Sequence, residues 1–210
     1  LLTTIAYRIN GKTTYAMEGS IFIAGAGVQW LRDRMKFFKK APETEKIIKK
    51  LKDNNGIYLV PAFTGLGAPH WNANSRGVLS GITRDTKPEE IIRATIEAVA
   101  YQTYDLFEAM KHDGLRPRIV KVDGGMVMNN WFSQFLSDVV NVKVLRPRVQ
   151  ETTAAGAAFM AGLKICVYKS LKDISKNWQI DRKFSPKMHS KKRNVIIKGW
   201  STAIKRTLIN

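Results

Sequence analysis

The run Asp123-Gly124-Gly125, followed by Asn129 and Asn130, has residue types that commonly bind ligands. It lies between a predicted strand and a predicted helix. Glycines there leave backbone N–H groups accessible, and a helix N-terminus favours anions. The alternative is structural: the turn needs positive φ, and the asparagines cap the following helix. The spacing alone leaves both interpretations open.

A second cluster of the same kind consists of Gly25-Ala26-Gly27 and Gln29, also at a predicted helix start. Its structural alternative is close packing of the helix against a neighbour, which small residues permit. Together the two clusters suit a base, a ribose or a phosphate, which backbone N–H groups and side-chain amides can hold. The residues alone therefore predict a nucleotide-binding half-site without visible catalytic chemistry.

Other reactive residue types form no recognisable site. The three histidines share no ligand-like spacing, carboxylates do not cluster for a metal ion, and no Ser-His pair suggests a nucleophile. Gly11-Lys12-Thr13 is not a P-loop, because Ala6 stands where the motif needs glycine. Cys166 is the single cysteine, which excludes an intramolecular disulfide and predicts a small buried hydrophobe. We predict no catalytic residue and no metal ligand in this chain.

Alternating periodicities predict an α/β fold. Asn10-Gly11 indicates a tight hairpin near the start, and residues 64–77 are too rich in Gly, Pro and Asn for regular structure. A helix is predicted over residues 20–38, and a long one begins after Thr86, whose spacing to Glu89 is that of a capping box. A strand, glycine turn, helix, strand, helix order follows from residue 118 to residue 163.

Composition indicates one globular domain. The chain has 210 residues, 44% of them hydrophobic, and a net charge of +18. No apolar stretch is long enough to span a bilayer, so we expect no membrane partner and a cytoplasmic location. The excess charge is scattered, without aromatic interleaving, and so does not favour nucleic acid as a partner.

Several blocks in order along the chain closely resemble the carboxy-terminal half of the FGGY carbohydrate kinase family, in particular its glycerol-phosphorylating members. The resemblance implies an actin-like, ribonuclease-H-like ATPase domain, a mixed sheet with flanking helices, over residues 1–210. It also implies an absent amino-terminal domain that carries the catalytic base and the glycerol-binding residues. The matching blocks include Leu1–Ala6, Ala24–Asp33, Val60–Trp71, Gly77–Ile82, Glu90–Glu97, Val122–Asn130 and Thr152–Ala158.

The same resemblance implies ATP with Mg²⁺ as cofactor, and glycerol as a partner only together with the missing domain. Family members contact ATP in this half through residues that correspond to Gly25, Gln29, Gly125 and Asn129. The chain departs from the family pattern at His70 and Asn72, where relatives usually have Tyr and Asp.

We expect the isolated chain to be inactive, and apolar surface left by the absent domain to favour self-association as a homo-oligomer. The alternative function is a catalytically inactive basic fragment that acts as a nucleotide- or polyanion-binding module.

Overall fold

The computed structural model describes residues 1–209, which fold into seven strands and seven α-helices. The strands are β1 (Leu2–Ile9), β2 (Lys12–Glu18), β3 (Tyr58–Val60), β4 (Val78–Ser80), β5 (Ile119–Lys121), β6 (Lys143–Pro147) and β7 (Ile180–Phe184). The helices are α1 (Gly25–Asp33), α2 (Glu43–Ile48), α3 (Pro88–His112), α4 (Asn130–Val140), α5 (Thr152–Lys164), α6 (Leu171–Ser175) and α7 (Ser190–Leu208).

The strands form three small sheets. β1 and β2 are an antiparallel hairpin, and both Asn10 and Gly11 have positive φ, at 50° and 76°, as the predicted tight turn requires. β3 pairs antiparallel with β4. β6 lies between β5, to which it is parallel, and β7, to which it is antiparallel. The predicted mixed sheet with flanking helices is therefore confirmed.

Helix α3 is the centre of the core. It packs against α1, α2, α4 and β3, and every residue from Ile92 to Tyr101 is buried, so this part of the helix is covered on all sides. Its Tyr101 is 1% exposed and stacks on Trp200 of α7, with ring centroids 5.3 Å apart. The two glycine-amide clusters predicted from sequence lie at the starts of α1 and α4, and both of these helices pack against α3.

The start of α3 differs from the prediction by one residue. The N-cap is Lys87, whose N–H donates to the Glu90 carboxylate at 2.9 Å, so Glu90 takes the place predicted for Glu89. The Thr86 hydroxyl instead accepts from the N–H of Thr83 at 2.8 Å. Pro88 suits the first helical position, because an N–H there would have no acceptor within the helix and proline has none to leave unpaired.

The helix predicted over residues 20–38 is shorter, since α1 covers only Gly25–Asp33. The Ser20 carbonyl accepts from the N–H of Ala68 at 3.1 Å, in the glycine-rich loop. A Cβ on Gly67 would lie 2.2 Å from the same carbonyl oxygen, so the two backbones touch there. This tertiary contact replaces the helical hydrogen bonds that the periodicity predicted.

Candidate functional site

A single cleft of about 380 Å³ contains all four residues predicted to contact nucleotide. Gly25 and Gln29 lie on α1, Gly125 begins a 3₁₀ turn, and Asn129 lies between that turn and α4. The sequence separates the two pairs by about a hundred residues, and the fold brings them to one opening. Other lining residues are Val28, Arg32, Ala41, Pro42, Thr44, Glu45, Ile96, Met126 and Met128.

The glycines of the first cluster have different roles. A Cβ on Gly27 would lie 3.0 Å from Cγ2 of Thr95 on α3, so this glycine permits close helix packing. A Cβ on Gly25 would meet nothing within 4 Å. Packing therefore explains why residue 27 is glycine. No contact within the folded chain requires glycine at position 25, which lines the cleft.

The second cluster divides in the same way. Gly124 has φ of 81°, the left-handed conformation that favours glycine. Gly125 has no positive φ, and a Cβ there would meet nothing within 4 Å. The N–H groups of Gly124, Gly125 and Met126 have no acceptor among residues 1–209. Hence the turn requires its first glycine for conformation, while the second leaves space for a ligand beside unbonded N–H groups.

Buried Arg146 of β6 fixes the orientation of the 3₁₀ turn Gly125–Met128. Its Nη1 donates to the Val127 carbonyl at 2.9 Å, and its Nε donates to the Asp181 carboxylate at 2.7 Å. The Ser133 hydroxyl also donates to the Val127 carbonyl, at 2.9 Å. The carbonyl groups of the turn are thus bonded inside the protein. Sequence reasoning missed Arg146, since nothing local marks one arginine of 35 basic residues as buried.

The N-terminus of α4 is satisfied by the protein itself, as the helix-cap interpretation of the asparagines predicts. The Asn129 side-chain oxygen accepts from the N–H of Phe132 at 3.0 Å. The Glu45 carboxylate accepts from the N–H of Asn130 at 3.3 Å. Free donors remain in the preceding turn and at the second N–H of the Asn129 amide, whose nitrogen donates a long hydrogen bond of 3.5 Å to the Thr44 hydroxyl.

Glu45 is the carboxylate at the edge of the cleft. Burial on its own raises the pKa of this group, but the Lys49 ammonium, 2.6 Å away, and the N–H of Asn130 outweigh it, so the pKa lies below its ordinary value. Glu45 is therefore ionised near neutral pH and occupied by its partners. No local pattern marked Glu45 as a cleft residue, because it lies in a helix whose charged residues resemble a solvated surface.

The lining of the cleft combines apolar walls with polar ends. Side chains of Val28, Pro42, Ile96 and Met126 form apolar walls, and the glycine-rich ends offer backbone N–H groups. Gln29 is exposed, and its amide makes no hydrogen bond within residues 1–209. Such a lining can accept a planar base against the walls and polar substituents at the ends.

Metal ligands do not converge in this part of the chain. No group of three His, Cys, Asp or Glu side chains suited to a metal ion occurs within residues 1–209. The cleft has Glu45, which is already paired, and the Asp123 carboxylate accepts from the Thr152 hydroxyl. Residues 1–209 thus contain no all-protein metal site, whereas a Mg²⁺ ion bound to a nucleotide takes most of its ligands from phosphate and water oxygens.

The two departures from the family pattern form local contacts. His70 Nε2 lies 3.3 Å from the Asp105 carboxylate, which also accepts from the Trp200 indole at 2.8 Å. The Asn72 side-chain oxygen accepts from the N–H groups of Asn74 and Ser75, at 2.9 and 3.0 Å. An aspartate could make the same turn, because its carboxylate also accepts both bonds.

Cys166 is exposed, so its prediction as a buried hydrophobe is wrong. It lies two residues after α5 ends, in the left-handed conformation with φ of 62°, where the chain turns back so that the N–H of Val167 donates to the Gly162 carbonyl at 2.9 Å. Within residues 1–209 no helix combines the length and the hydropathy needed to cross a bilayer.

Known proteins share both the sequence and the fold. Residues 3–165 match the C-terminal domain of the FGGY family of carbohydrate kinases. The chain is 52% identical over 209 residues to glycerol kinase of Gluconobacter oxydans, covering 99% of this chain and 41% of that protein. It is likewise 52% identical over 206 residues to glycerol kinase 1 of Pseudomonas aeruginosa, covering 98% of this chain and 42% of that protein.

Solved structures agree. The crystal structure of Plasmodium falciparum glycerol kinase with ADP superimposes on the whole chain and on 42% of its own, with a TM-score of 0.89 at 37% identity. Xylulose kinase of Lactobacillus acidophilus matches 95% of this chain and 40% of its own, with a TM-score of 0.77 at 22% identity, a likeness of fold alone.

These matches define a carbohydrate-kinase domain with the actin-like ATPase fold. The chain belongs to the FGGY family, and it corresponds to the carboxy-terminal domain of that family. It spans about two fifths of the length of the glycerol kinases it matches.

Proposed function

We propose that this chain is the ATP-binding part of a kinase that transfers the γ-phosphoryl group of ATP to a hydroxyl of glycerol. The observation that carries the proposal is the convergence of Gly25, Gln29, Gly125 and Asn129 on one cleft. The relatives support the substrate, since the two proteins at 52% identity are glycerol kinases and one related crystal structure contains ADP.

In this proposal the chain contributes binding and orientation. The apolar walls receive the adenine, and the unbonded N–H groups of Gly124, Gly125 and Met126 meet polar parts of the nucleotide. Phosphoryl transfer depends mainly on positioning and on charge stabilisation, so a domain that holds nucleotide in register contributes directly to the rate.

The groups that act on glycerol are proposed to lie in the remainder of the longer protein. A general base must come within hydrogen-bond reach of the hydroxyl that it deprotonates. The cleft carboxylate, Glu45, is held in an ion pair with Lys49 and accepts a backbone N–H. A second domain closing over the cleft would supply the base and exclude water.

The deciding experiment measures ATP and ADP affinity of residues 1–210 by calorimetry, comparing Gly125→Val with Gly156→Val. Both positions are open in the folded chain, because a Cβ on either would meet nothing within 4 Å, and neither has positive φ. Only Gly125 lines the cleft. We expect Gly125→Val to weaken nucleotide binding with an unchanged melting temperature, and Gly156→Val to leave the affinity as in the parent. Equal affinities for all three proteins would refute the assignment.

A further inference from the structure

One wall of the nucleotide cleft depends on a very short helix. α2 has six residues, too few for a helix that is stable on its own, so contacts with other elements must fix its position. Its Thr44 and Glu45 line the cleft, as does Asn129 at the start of α4. The Asn129 amide donates to the Thr44 hydroxyl at 3.5 Å, and Glu45 accepts from the N–H of Asn130 at 3.3 Å. The shape of this wall therefore depends on the distance between α2 and α4.

Arg93 of α3 contacts both of these helices from outside the cleft lining. Its Nη1 donates to the Leu51 carbonyl at 2.8 Å. Leu51 lies in the turn that continues α2, where its own N–H donates to the Ile48 carbonyl at 3.1 Å. The Arg93 guanidinium also lies 5.0 Å from the ring centre of Trp131, in the first turn of α4, and Phe135 stacks on the same ring with centroids 4.9 Å apart. Arg93 thus connects the end of α2 to the beginning of α4.

A buried network holds Arg93 in this position. Its Nε donates to one Glu97 oxygen at 2.7 Å. The other Glu97 oxygen accepts from the Tyr101 hydroxyl at 3.0 Å and from the Asn54 amide at 3.1 Å. All four residues are buried. Because the donors of a guanidinium form a rigid fork, the bond to Glu97 also fixes the direction of the bond to the Leu51 carbonyl.

Stability by itself explains this network poorly. A buried ion pair contributes little compared with well-packed apolar residues, because taking two charges out of water costs much of what their attraction returns. Burial raises the pKa of the Glu97 carboxyl above its ordinary value in spite of the bonds from Arg93, Tyr101 and Asn54, as expected for such a cost. What the network does provide is a single geometry, since Arg93 reaches the Leu51 carbonyl at only one placement of α2.

We propose that Arg93 is a positioning residue for the nucleotide, because it sets the distance between α2 and α4 from behind the cleft. Through Leu51 it holds α2, and through Trp131 it holds α4. The cleft residues Thr44 and Asn129 therefore keep one separation. This inference rests on the nucleotide binding proposed above, and it assigns a role to a residue that does not contact the ligand.

The main test separates positioning from stability. In the whole chain, the double variant Arg93→Met with Glu97→Gln removes the ion pair and the bond to Leu51, while the new amide oxygen can still accept from Tyr101 and Asn54. We expect a melting temperature near that of the parent, because an apolar side chain replaces a buried charge. We expect calorimetry well below the unfolding temperature to show ATP affinity lower by roughly fivefold, the effect of about one hydrogen bond.

Tyr101→Phe is the matched control. It removes a bond to Glu97 within the same network and leaves the contacts of Arg93 with Leu51 and Trp131 in place. We expect it to lower the melting temperature and to keep the parent affinity for ATP. Parent affinity in the double variant, or equal losses of affinity in the double variant and in Tyr101→Phe, would overturn the proposal.

A second readout needs no nucleotide and uses Glu45. Burial raises the pKa of this carboxyl, but the Lys49 ammonium and the N–H of Asn130 lower it by more, so it lies below its ordinary value. If α2 moves away from α4, the bond from Asn130 lengthens and the pKa of Glu45 rises. NMR titration of the side-chain carboxyl carbon measures this pKa.

Arg93→Lys is the variant for this readout, because it keeps the charge but its single ammonium cannot replace the rigid fork that joins Glu97 to the Leu51 carbonyl. We expect the pKa of Glu45 to rise in Arg93→Lys and to stay at the parent value in Tyr101→Phe. An unchanged Glu45 pKa in Arg93→Lys would show that Arg93 does not set the distance between the helices. A parent chain that binds no ATP would refute the proposed function, whereas the Glu45 titration would still decide whether Arg93 sets this distance.

Discussion

Asn129 caps α4 through its side-chain oxygen, which accepts from the N–H of Phe132 at 3.0 Å, while the same residue lines the cleft between α1 and the 3₁₀ turn. The amide nitrogen is the part left for a ligand, with a long 3.5 Å contact to the Thr44 hydroxyl. The sequence posed the cap and the ligand contact as alternatives, and the geometry makes them compatible.

Two substitutions separate these roles. Asn129→Ala removes both, so it should lower the free energy of unfolding by about 1 kcal/mol and also weaken nucleotide binding. Asn129→Asp keeps a capping oxygen but replaces the amide donor with a negative charge. We expect it to retain the parent melting temperature and to bind ATP more weakly, as measured by thermal unfolding and calorimetry. If Asn129→Asp binds ATP as tightly as the parent does, Asn129 caps the helix and does not contact nucleotide.

The glycines of α1 should respond oppositely to added volume. Gly27→Ala places a methyl group 3.0 Å from Thr95, so we expect a lower melting temperature unless Thr95 can shift. Gly25→Ala places a methyl group in the open cleft, so stability should hold while affinity for ATP falls. Unfolding and nucleotide titration on both variants check this pattern, and a loss of stability in Gly25→Ala with unchanged affinity would reverse the assignment.

The purified chain should show no turnover of glycerol with ATP, because the proposed function places the base and the glycerol-binding groups outside residues 1–210. Adding the separately expressed amino-terminal half of a glycerol kinase should restore some activity. A coupled assay for ADP release measures both, with Gly125→Val in the same mixture as the control. Activity of the chain alone would place catalytic groups within it.

Stability should fall in acid in part through Glu45. The pKa of this carboxyl in the folded chain lies below its ordinary value of 4.5, so the ionised form stabilises the fold above that value. This contribution is lost as the pH falls through the lowered folded pKa. Urea unfolding between neutral pH and pH values below 4.5 should show a smaller acid loss for Glu45→Gln than for the parent. Parallel pH curves for the two proteins would contradict this role.

Self-association should arise from exposed apolar side chains. Ile165 and Val167 are 71% and 64% exposed beside Cys166, and Ile5 of the hairpin is 62% exposed. We expect sedimentation velocity to show concentration-dependent association that Ile165→Ser with Val167→Ser reduces. Cys166→Ser under the same conditions separates this effect from disulfide formation. Association unchanged by the double substitution would assign it to another surface, such as the hairpin.

Local sequence determined those features that depend on backbone propensity and periodicity. Asn10-Gly11 specified its hairpin because a tight turn needs two positive φ values, and the apolar stripe from Ile92 to Met110 specified α3. Residue types also indicated the two glycine-amide clusters, and the family resemblance selected from them the four residues that meet in the cleft. Strand β7 escaped prediction, since Ile180–Phe184 pairs only with β6 and three of its five residues are exposed.

Tertiary structure decided how each residue is used. Gly25 and Gly27 are both glycines in the first turn of α1. Only a Cβ on Gly27 would contact Thr95 of α3, and a Cβ on Gly25 would meet nothing within 4 Å. The occupied N-terminus of α4 depends on Glu45, 85 residues away from Asn130, and the orientation of the 3₁₀ turn depends on Arg146. Such partners are invisible to local patterns, because a buried polar group is satisfied by whatever the fold brings within about 3 Å of it.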